Sequence, residues 1–241
     1  MFSLYRKEIA TFFCSATGYL VVSVFLTATG LFLWIVPGQS NIIYGGYATL
    51  EPLFAIAPWI FLLLVPAVAM RLIADERRTG TMELLLIRPL SALQIVTAKY
   101  LAGLTVVLIS ILPTLAYVAV VWQLGSTPGN LDVGATTGSY IGLMLLGAVY
   151  MALSLFASST TDNQITAFVV GAVLCFAFYA GFDSLATIPA LSGAATVIES
   201  CGIASHYNGI SRGVIDSRDL IYFASTAAAA VYLTSLRLRR R

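Results

Sequence analysis

Apolar residues gather in six long stretches along the chain, separated by shorter polar segments. A helix needs about 20 mainly apolar residues to cross the hydrocarbon core of a bilayer. Six stretches approach this length, so the pattern predicts six transmembrane helices, at residues 18–36, 52–70, 100–124, 140–157, 165–182 and 220–236. The first stretch exceeds the apolar core of a secretory signal, and no small-residue cleavage site follows it, so we interpret it as a retained helix.

Composition supports an all-α membrane protein. Hydrophobic residues make up 59% of the chain and charged residues only 10%, whereas a soluble domain carries about 25% charged residues. A soluble fold of this length cannot cover so much apolar surface. Helices that cross one bilayer side by side predict a single transmembrane domain over residues 1–241.

The basic residues predict the orientation of the chain. With the N-terminus inside, all of the 13 lysines and arginines except Arg212 and Arg218 fall in cytoplasmic segments. Cytoplasmic segments of membrane proteins carry such an excess of Lys and Arg. An even number of spans then places both termini in the cytoplasm.

Residues 1–17 precede the first span and combine apolar positions with charge. Phe2, Tyr5, Ile9 and Phe12 recur at helical spacing, with Arg6-Lys7-Glu8 between them. This pattern is typical of an amphipathic helix lying in the cytoplasmic interface. A simple extension of the first span is the alternative.

The cytoplasmic connection at residues 71–99 has its own helix signals. Thr81 can cap a short helix with Glu83 in its first turn, and Arg88 and Pro89 stand at its end. The pattern predicts a short amphipathic helix beneath the membrane. It either anchors the loop to the membrane or docks a cytoplasmic partner.

Two capping-box spacings predict where later helices begin. Ser91 with Gln94 opens the third span, and Thr161 with Gln164 opens the fifth, after a short polar turn at residues 158–163.

The outer connection at residues 183–219 mixes apolar residues with Gly, Ser, Pro and Thr. Irregular backbone at membrane depth must be shielded by protein or face a water-filled cavity. The composition therefore predicts a pair of short re-entrant helices between the fifth and sixth spans.

Candidate catalytic groups are few. The chain has no G-x-x-x-x-G-K-[ST] motif, so it carries no nucleotide-binding loop of its own, and any ATP must be hydrolysed by a partner. His206 with Ser205 and Asp216 has the residue types of a hydrolase triad, but adjacent Ser and His do not easily reach that geometry. A polar histidine at the outer interface is favoured. Asp162 and Asp183 stand at opposite ends of one span, about 30 Å apart, which excludes an aspartyl dyad within the chain.

The spans themselves carry no Asp, Glu, Lys, Arg or His near their middles. A proton or ion pathway usually needs one, so a proton-coupled pump is disfavoured. Gly138 and Gly142 form a G-x-x-x-G spacing, which is a weak indication of helix dimerisation. Pro58, Pro66 and Pro113 predict kinks inside spans.

The run DERRTGTMELLLIRP at residues 75–89 resembles the signature of ABC-2 type transporter permeases. The resemblance implies a coupling helix that sits in a groove of a cytoplasmic ATPase, which binds the ATP and Mg²⁺; this chain binds no cofactor. It implies ATPase-binding roles for Glu76, Arg77, Thr79, Gly80, Thr81, Glu83, Leu84, Leu85, Arg88, Pro89, Asp162 and Asn163.

Further segments, at residues 18–20, 31–34, 57–59, 161–164 and 211–223, resemble the gliding-motility-associated ABC permease subunit of Bacteroidetes and its relatives. That resemblance implies the type V exporter (ABC-2) fold in the bacterial inner membrane. Its partners would be an ATPase and a second permease or an auxiliary membrane subunit with a periplasmic region. The expected function is a permease subunit that couples the ATPase to export or mechanical transmission. The alternative is a non-transporting anchor or scaffold of a motility or secretion machine.

Overall fold

The structure is a computed structural model that describes residues 1–82, 90–125 and 131–239. Within these residues it is helical, without strands. Six of its helices are long and apolar enough to cross a membrane, as the sequence pattern predicts. They are Ala16–Ile35, Glu51–Arg78, Ala92–Leu124, Val133–Ser158, Gln164–Ala186 and Ser217–Arg239.

We number the α-helices in chain order, and several spans consist of more than one element. The helices are α1 (Phe2–Cys14), α2 (Ala16–Gly30), α3 (Ile42–Gly45), α4 (Glu51–Arg78), α5 (Ala92–Ile111), α6 (Leu115–Leu124), α7 (Val133–Ser158), α8 (Gln164–Phe176), α9 (Phe182–Ala186), α10 (Ala195–Ser200), α11 (Ile203–Ile210) and α12 (Ser217–Arg239). A π-helical turn, Leu31–Ile35, extends α2, and another, Ala177–Gly181, joins α8 to α9.

Helix α1 is separate from the first span. Ser15 has extended backbone angles, φ −104° and ψ 152°, which break the helix between Cys14 and Ala16. The alternative of a simple extension is therefore wrong. The buried face of α1 carries Leu4, Glu8 and Phe12, so a carboxylate lies in the middle of its apolar stripe.

The two predicted capping boxes have different outcomes. Ser91 and Gln94 form both reciprocal hydrogen bonds at the start of α5, as predicted. Helix α8 does begin at Gln164, but Asn163 is its cap, because its side chain accepts the backbone N–H two residues further on. Thr161 lies two positions too early for that role and instead accepts the N–H of Asn163.

Helix α7 lies at the centre of the bundle. In its most apolar window 72% of the residues are buried, against 22% for the span Gln164–Ala186, and it packs against α4, α5, α8, α11 and α12. Its glycines allow close approach of residues 183–219, the predicted outer connection, which we call the outer segment. A Cβ at Gly138 would lie 2.9 Å from the backbone of Gly213, and one at Gly142 would lie 2.5 Å from Ile210. The G-x-x-x-G face is thus filled within the chain.

The prolines differ in effect. Pro113 falls in a 3₁₀ turn, Leu112–Thr114, that separates α5 from α6, whereas α4 continues as one helix through Pro58 and Pro66. A proline in a helix lacks the N–H that would bond the carbonyl four residues earlier. Pro58 therefore leaves the carbonyl of Phe54 without its helical partner.

Tyr207 of α11 supplies that partner. Its side chain is buried, and its hydroxyl donates to the carbonyl oxygen of Phe54 at 2.8 Å. A buried carbonyl without a hydrogen bond is costly in a membrane protein, since no water reaches it. The proline in α4 and the tyrosine in the outer segment therefore form one structural unit.

We predict that Tyr207→Phe lowers the free energy of unfolding by about 1–3 kcal/mol, the cost of leaving a buried polar group unsatisfied. The loss should shrink in a Pro58→Ala background, because the alanine N–H can bond the Phe54 carbonyl. Denaturant unfolding of the four proteins in detergent measures both effects. An equal loss in the two backgrounds would contradict the pairing of Tyr207 with Pro58.

Candidate functional site

Most charged side chains of the bundle lie at one end, where α2, α5 and α8 begin and α4, α7 and α12 end; we call this the charged end. At its centre four side chains form what we call the ionic cluster: Lys7 and Glu8 of α1, Glu76 of α4 and Lys99 of α5. The Nζ of Lys99 lies 3.1 Å from Oε1 of Glu8 and 2.6 Å from Oε2 of Glu76. The Nζ of Lys7 lies 3.0 Å from Glu76 and 3.5 Å from Glu8.

Burial makes this cluster energetically important. The side chain of Lys99 is 0% exposed, Glu8 7% and Glu76 12%, whereas Lys7 is 54% exposed. An isolated ion in such a place costs several kcal/mol, which only close opposite charges can offset. Two ammoniums and two carboxylates alternate, so the cluster is neutral and each buried charge has two partners.

Lys7 lies at the exposed edge of the cluster, and its surroundings shift its pKa in opposite directions. Partial burial lowers its pKa, but the hydrogen bond to Glu76 and the attraction of Glu8 together raise it above the ordinary value of 10.5. Its contribution to stability is therefore fully present below pH 10.5. It is lost only as the pH rises through the raised pKa.

A second set of contacts ties the last turns of α4 to the turn between α7 and α8. The hydroxyl of Ser158 accepts the N–H of Ala74 at 3.1 Å and donates to the carbonyl of Met70 at 3.3 Å. Those two groups are the ends of one helical hydrogen bond of α4. The side chain has thus entered the backbone ladder, an arrangement associated with local bending.

Arg77 strengthens the same junction. Its guanidinium donates to the carbonyl of Ser159 at 2.6 Å and lies 3.6 Å from the carboxylate of Asp162. The two connections for which the sequence predicted ATPase contacts, at residues 71–99 and 158–163, therefore meet at the charged end.

The Thr-Gly-Thr part of the motif ends helix α4. Gly80 has φ +70°, a left-handed conformation that suits glycine at a helix terminus. The hydroxyl of Thr79 donates to the carbonyl of Asp75, and the hydroxyl of Thr81 lies 3.0 Å from that of Thr79. Thr79, Gly80 and Thr81 are all exposed.

The predicted ATPase-binding residues thus fall into three groups. The side chains of Glu76 and Arg77 are mostly buried and bonded within the chain, while Thr79, Gly80, Thr81, Asp162 and Asn163 lie at the exposed surface. Glu83, Leu84, Leu85, Arg88 and Pro89, with the predicted coupling helix, lie outside the described residues. Binding of any of them to an ATPase stays a prediction.

Sequence reasoning missed three members of the ionic cluster: Lys7, Glu8 and Lys99. One signal was available. Glu8 lies one helical turn from both Leu4 and Phe12, and a carboxylate on a buried helix face requires a buried cation. The chain has only two lysines, and both form ion pairs with Glu8.

His206 does not form a hydrolase triad with Ser205 and Asp216. The Nδ1 of His206 lies 2.6 Å from Asp219, its ring stacks on Tyr222, and Ser205 donates to backbone carbonyls. Asp216 accepts a backbone N–H instead of contacting the histidine. Within residues 1–82, 90–125 and 131–239, no group of three His, Cys, Asp or Glu side chains could hold a metal ion.

We predict that Lys99→Met lowers the free energy of unfolding by about 3–5 kcal/mol, because the buried carboxylates lose their best cation. Glu8→Gln combined with Lys99→Met should lose less than the sum of the single changes, since the remaining pair is neutral. Arg6→Gln, an exposed cation on the same helix, is the control and should change little. Additive losses in the double variant would show that the charges do not interact.

Comparison with known proteins agrees with this architecture. The chain matches the family model described as ABC-2 family transporter protein over residues 7–236, which include the ionic cluster. No curated protein matches the chain with significant similarity. Because the family match covers nearly the whole chain and six helices are able to span a membrane, the chain is a multi-pass membrane protein that belongs to the ABC-2 family of transporter proteins.

Proposed function

We propose that this chain is the permease subunit of an ATP-driven transporter and that its charged end receives the movement of a cytoplasmic ATPase. The ATPase binds the ATP and Mg²⁺, and this chain supplies the path through the membrane. In this proposal the charged end and both termini lie in the cytoplasm, and the membrane is the bacterial inner membrane.

The observation that carries the proposal is the meeting of the two connections at the charged end. Residues that end α4 and residues that join α7 to α8 are held together by Ser158 and Arg77. A partner that pushed on either connection would therefore move both. This is what a permease requires if a single ATPase contact is to shift several helices.

The exposed and the buried residues among the predicted ATPase contacts have different roles in this proposal. Thr79, Gly80, Thr81, Asp162 and Asn163, with residues 83–89, form the surface that touches the ATPase. Glu76 and Arg77 position that surface from behind, because their side chains are directed into the chain. This assignment refines the resemblance, which implies direct contact for both.

In this proposal, movement passes between helices through the ionic cluster and through the hydrogen bonds of Ser158 to α4. Displacement of the end of α4 carries Glu76 with it, and Glu76 is bonded to Lys7 of α1 and Lys99 of α5. Buried ion pairs resist separation, so α1 and α5 move with α4. The helices then change as rigid bodies between two packings, and α4 pivots where the hydroxyl of Ser158 bonds its backbone.

The assembly in this proposal contains two membrane subunits and two ATPase subunits. The second membrane subunit is either another permease or the auxiliary subunit with a periplasmic region, which the likeness to gliding-motility permeases favours. A non-transporting scaffold would have the same helices, but it would purify without an ATPase or with one that it does not regulate.

The test changes the predicted contact surface. Glu83→Lys with Leu84→Asp should abolish co-purification of the ATPase with the tagged chain in mild detergent, and with it the vanadate-sensitive ATP hydrolysis of the eluate. The matched control makes the same kinds of change on the opposite end, Glu199→Lys with Val197→Asp, at exposed positions of α10. The control should keep both the partner and the activity.

Two outcomes would overturn the proposal. Unchanged co-purification and hydrolysis in the Glu83/Leu84 variant would show that this motif is not the ATPase contact. A wild-type chain that purifies folded, alone and without ATPase activity would support the scaffold alternative.

A further inference from the structure

The charges around the end of α4 do not balance. Among the described residues, five cations and four carboxylates lie together there: Lys7, Arg71, Arg77, Arg78 and Lys99 against Glu8, Asp75, Glu76 and Asp162. The ionic cluster uses two of each sign, Arg78 pairs with Asp75 at 3.2 Å, and Arg77 lies 3.6 Å from Asp162. Arg71 is left over, with no carboxylate within salt-bridge distance in the described part of the chain.

Arg71 also lies at a particular depth. The apolar run from Pro52 to Met70 would span about 28 Å as a helix, close to the thickness of a bilayer's hydrocarbon core. Arg71 is the first charged residue after it. We therefore expect its guanidinium to lie near the level where the phosphates of a lipid monolayer begin.

A cleft opens in front of this arginine, between α1 and the last turns of α4. Its volume is about 210 Å³, room for several water molecules of about 30 Å³ each. Arg71, Lys7 and the paired carboxylates of the ionic cluster and Asp75 line it. The other polar lining residues donate their hydroxyls to backbone carbonyls; they are Thr11, Ser15, Thr79 and Thr81. Thr11, Thr79 and Thr81 are exposed, so the cleft is open to the surface.

The side chain has unused hydrogen-bonding capacity. An arginine has five N–H donors in a planar fork that fits two oxygens of a phosphate. Among the described residues, Arg71 donates to one side chain, the hydroxyl of Thr17 at the start of α2. The carboxylates near the cleft do not repel an anion strongly, because each is already paired with a cation.

We propose that Arg71 binds the phosphodiester of a membrane phospholipid whose headgroup enters this cleft. The phosphate supplies the missing negative charge, and its oxygens accept hydrogen bonds from the free N–H groups of the guanidinium. The acyl chains lie along the exposed apolar surface beside it, which includes Tyr19 and Leu20 of α2. This binding site does not depend on the proposed coupling to an ATPase.

The test uses the purified full chain in a non-ionic detergent, titrated with short-chain phosphatidylglycerol and followed by native mass spectrometry. The wild type should retain one phospholipid. Arg71→Gln should weaken retention about tenfold, as expected for loss of a charge-assisted hydrogen bond. Arg6→Gln is the matched control, another arginine at the charged end without a carboxylate partner in the described residues, and it should retain the lipid fully.

A competition arm identifies the source of the phosphate. Sodium phosphate at millimolar concentration should not displace the lipid; displacement at equal affinity would show that the site takes free phosphate, and would overturn the lipid assignment. Equal retention by wild type and Arg71→Gln, or equal loss in Arg6→Gln, would overturn the site itself.

Arg71→Lys covers the case in which Arg71→Gln does not fold. This variant keeps the positive charge but loses the planar fork, and retention should fall severalfold. Wild-type retention in Arg71→Lys would contradict the guanidinium–phosphate contact.

Discussion

The ammonium of Lys99 is fully buried, and the arrangement of the charged end depends on keeping it paired. Its partners come from two other helices, Glu8 on α1 and Glu76 on α4. In lipid, apolar packing offers little to distinguish one helix register from another, because the acyl chains are as apolar as leucine. The buried charges do distinguish them, since a shift of α1 or α4 by one turn would leave an ion without a partner. The cluster therefore fixes the register of three helices at the end where a partner would bind.

The need to pair buried polar groups also applies to the backbone of α4, near both of its ends. Near its start, Pro58 leaves the carbonyl of Phe54 without its helical hydrogen bond. The hydroxyl of Tyr207, in the outer segment, donates to that carbonyl. Near its end, the hydroxyl of Ser158 enters the ladder between Met70 and Ala74. At both of these places a side chain from another element satisfies the altered backbone hydrogen bonding, as a membrane interior demands. Helix α4 is thus tied to the outer segment at one end and to α7 at the other, which suits an element that transmits movement between the two faces.

The sequence predicted the spans well and the contacts between them poorly, for a physical reason. Long apolar runs are local features, so all six helices and the start of α5 at the Ser91–Gln94 box could be predicted. Residue pairs such as Glu8 with Lys99 lie 91 positions apart, and no local pattern links them. The central place of α7 was equally hidden, because a helix packed by protein and a helix packed by lipid have similar composition. The cap at Asn163 was mistaken for one at Thr161 because both residue types can accept the first N–H groups of a helix.

The saturation of the ionic cluster bears on how the protein would work. An ion or proton pathway needs a charge that can exchange partners with a moving species. Lys99 has no exposed surface and two close carboxylates, so an ion would have to break both contacts to use it. The sequence places no Asp, Glu, Lys, Arg or His near the middle of a span. A cluster that is closed to ions but shared by three helices is better suited to hold them together while they move. This argument favours mechanical coupling over ion coupling as the source of energy, and in an ABC-2 family protein that energy would come from an ATPase.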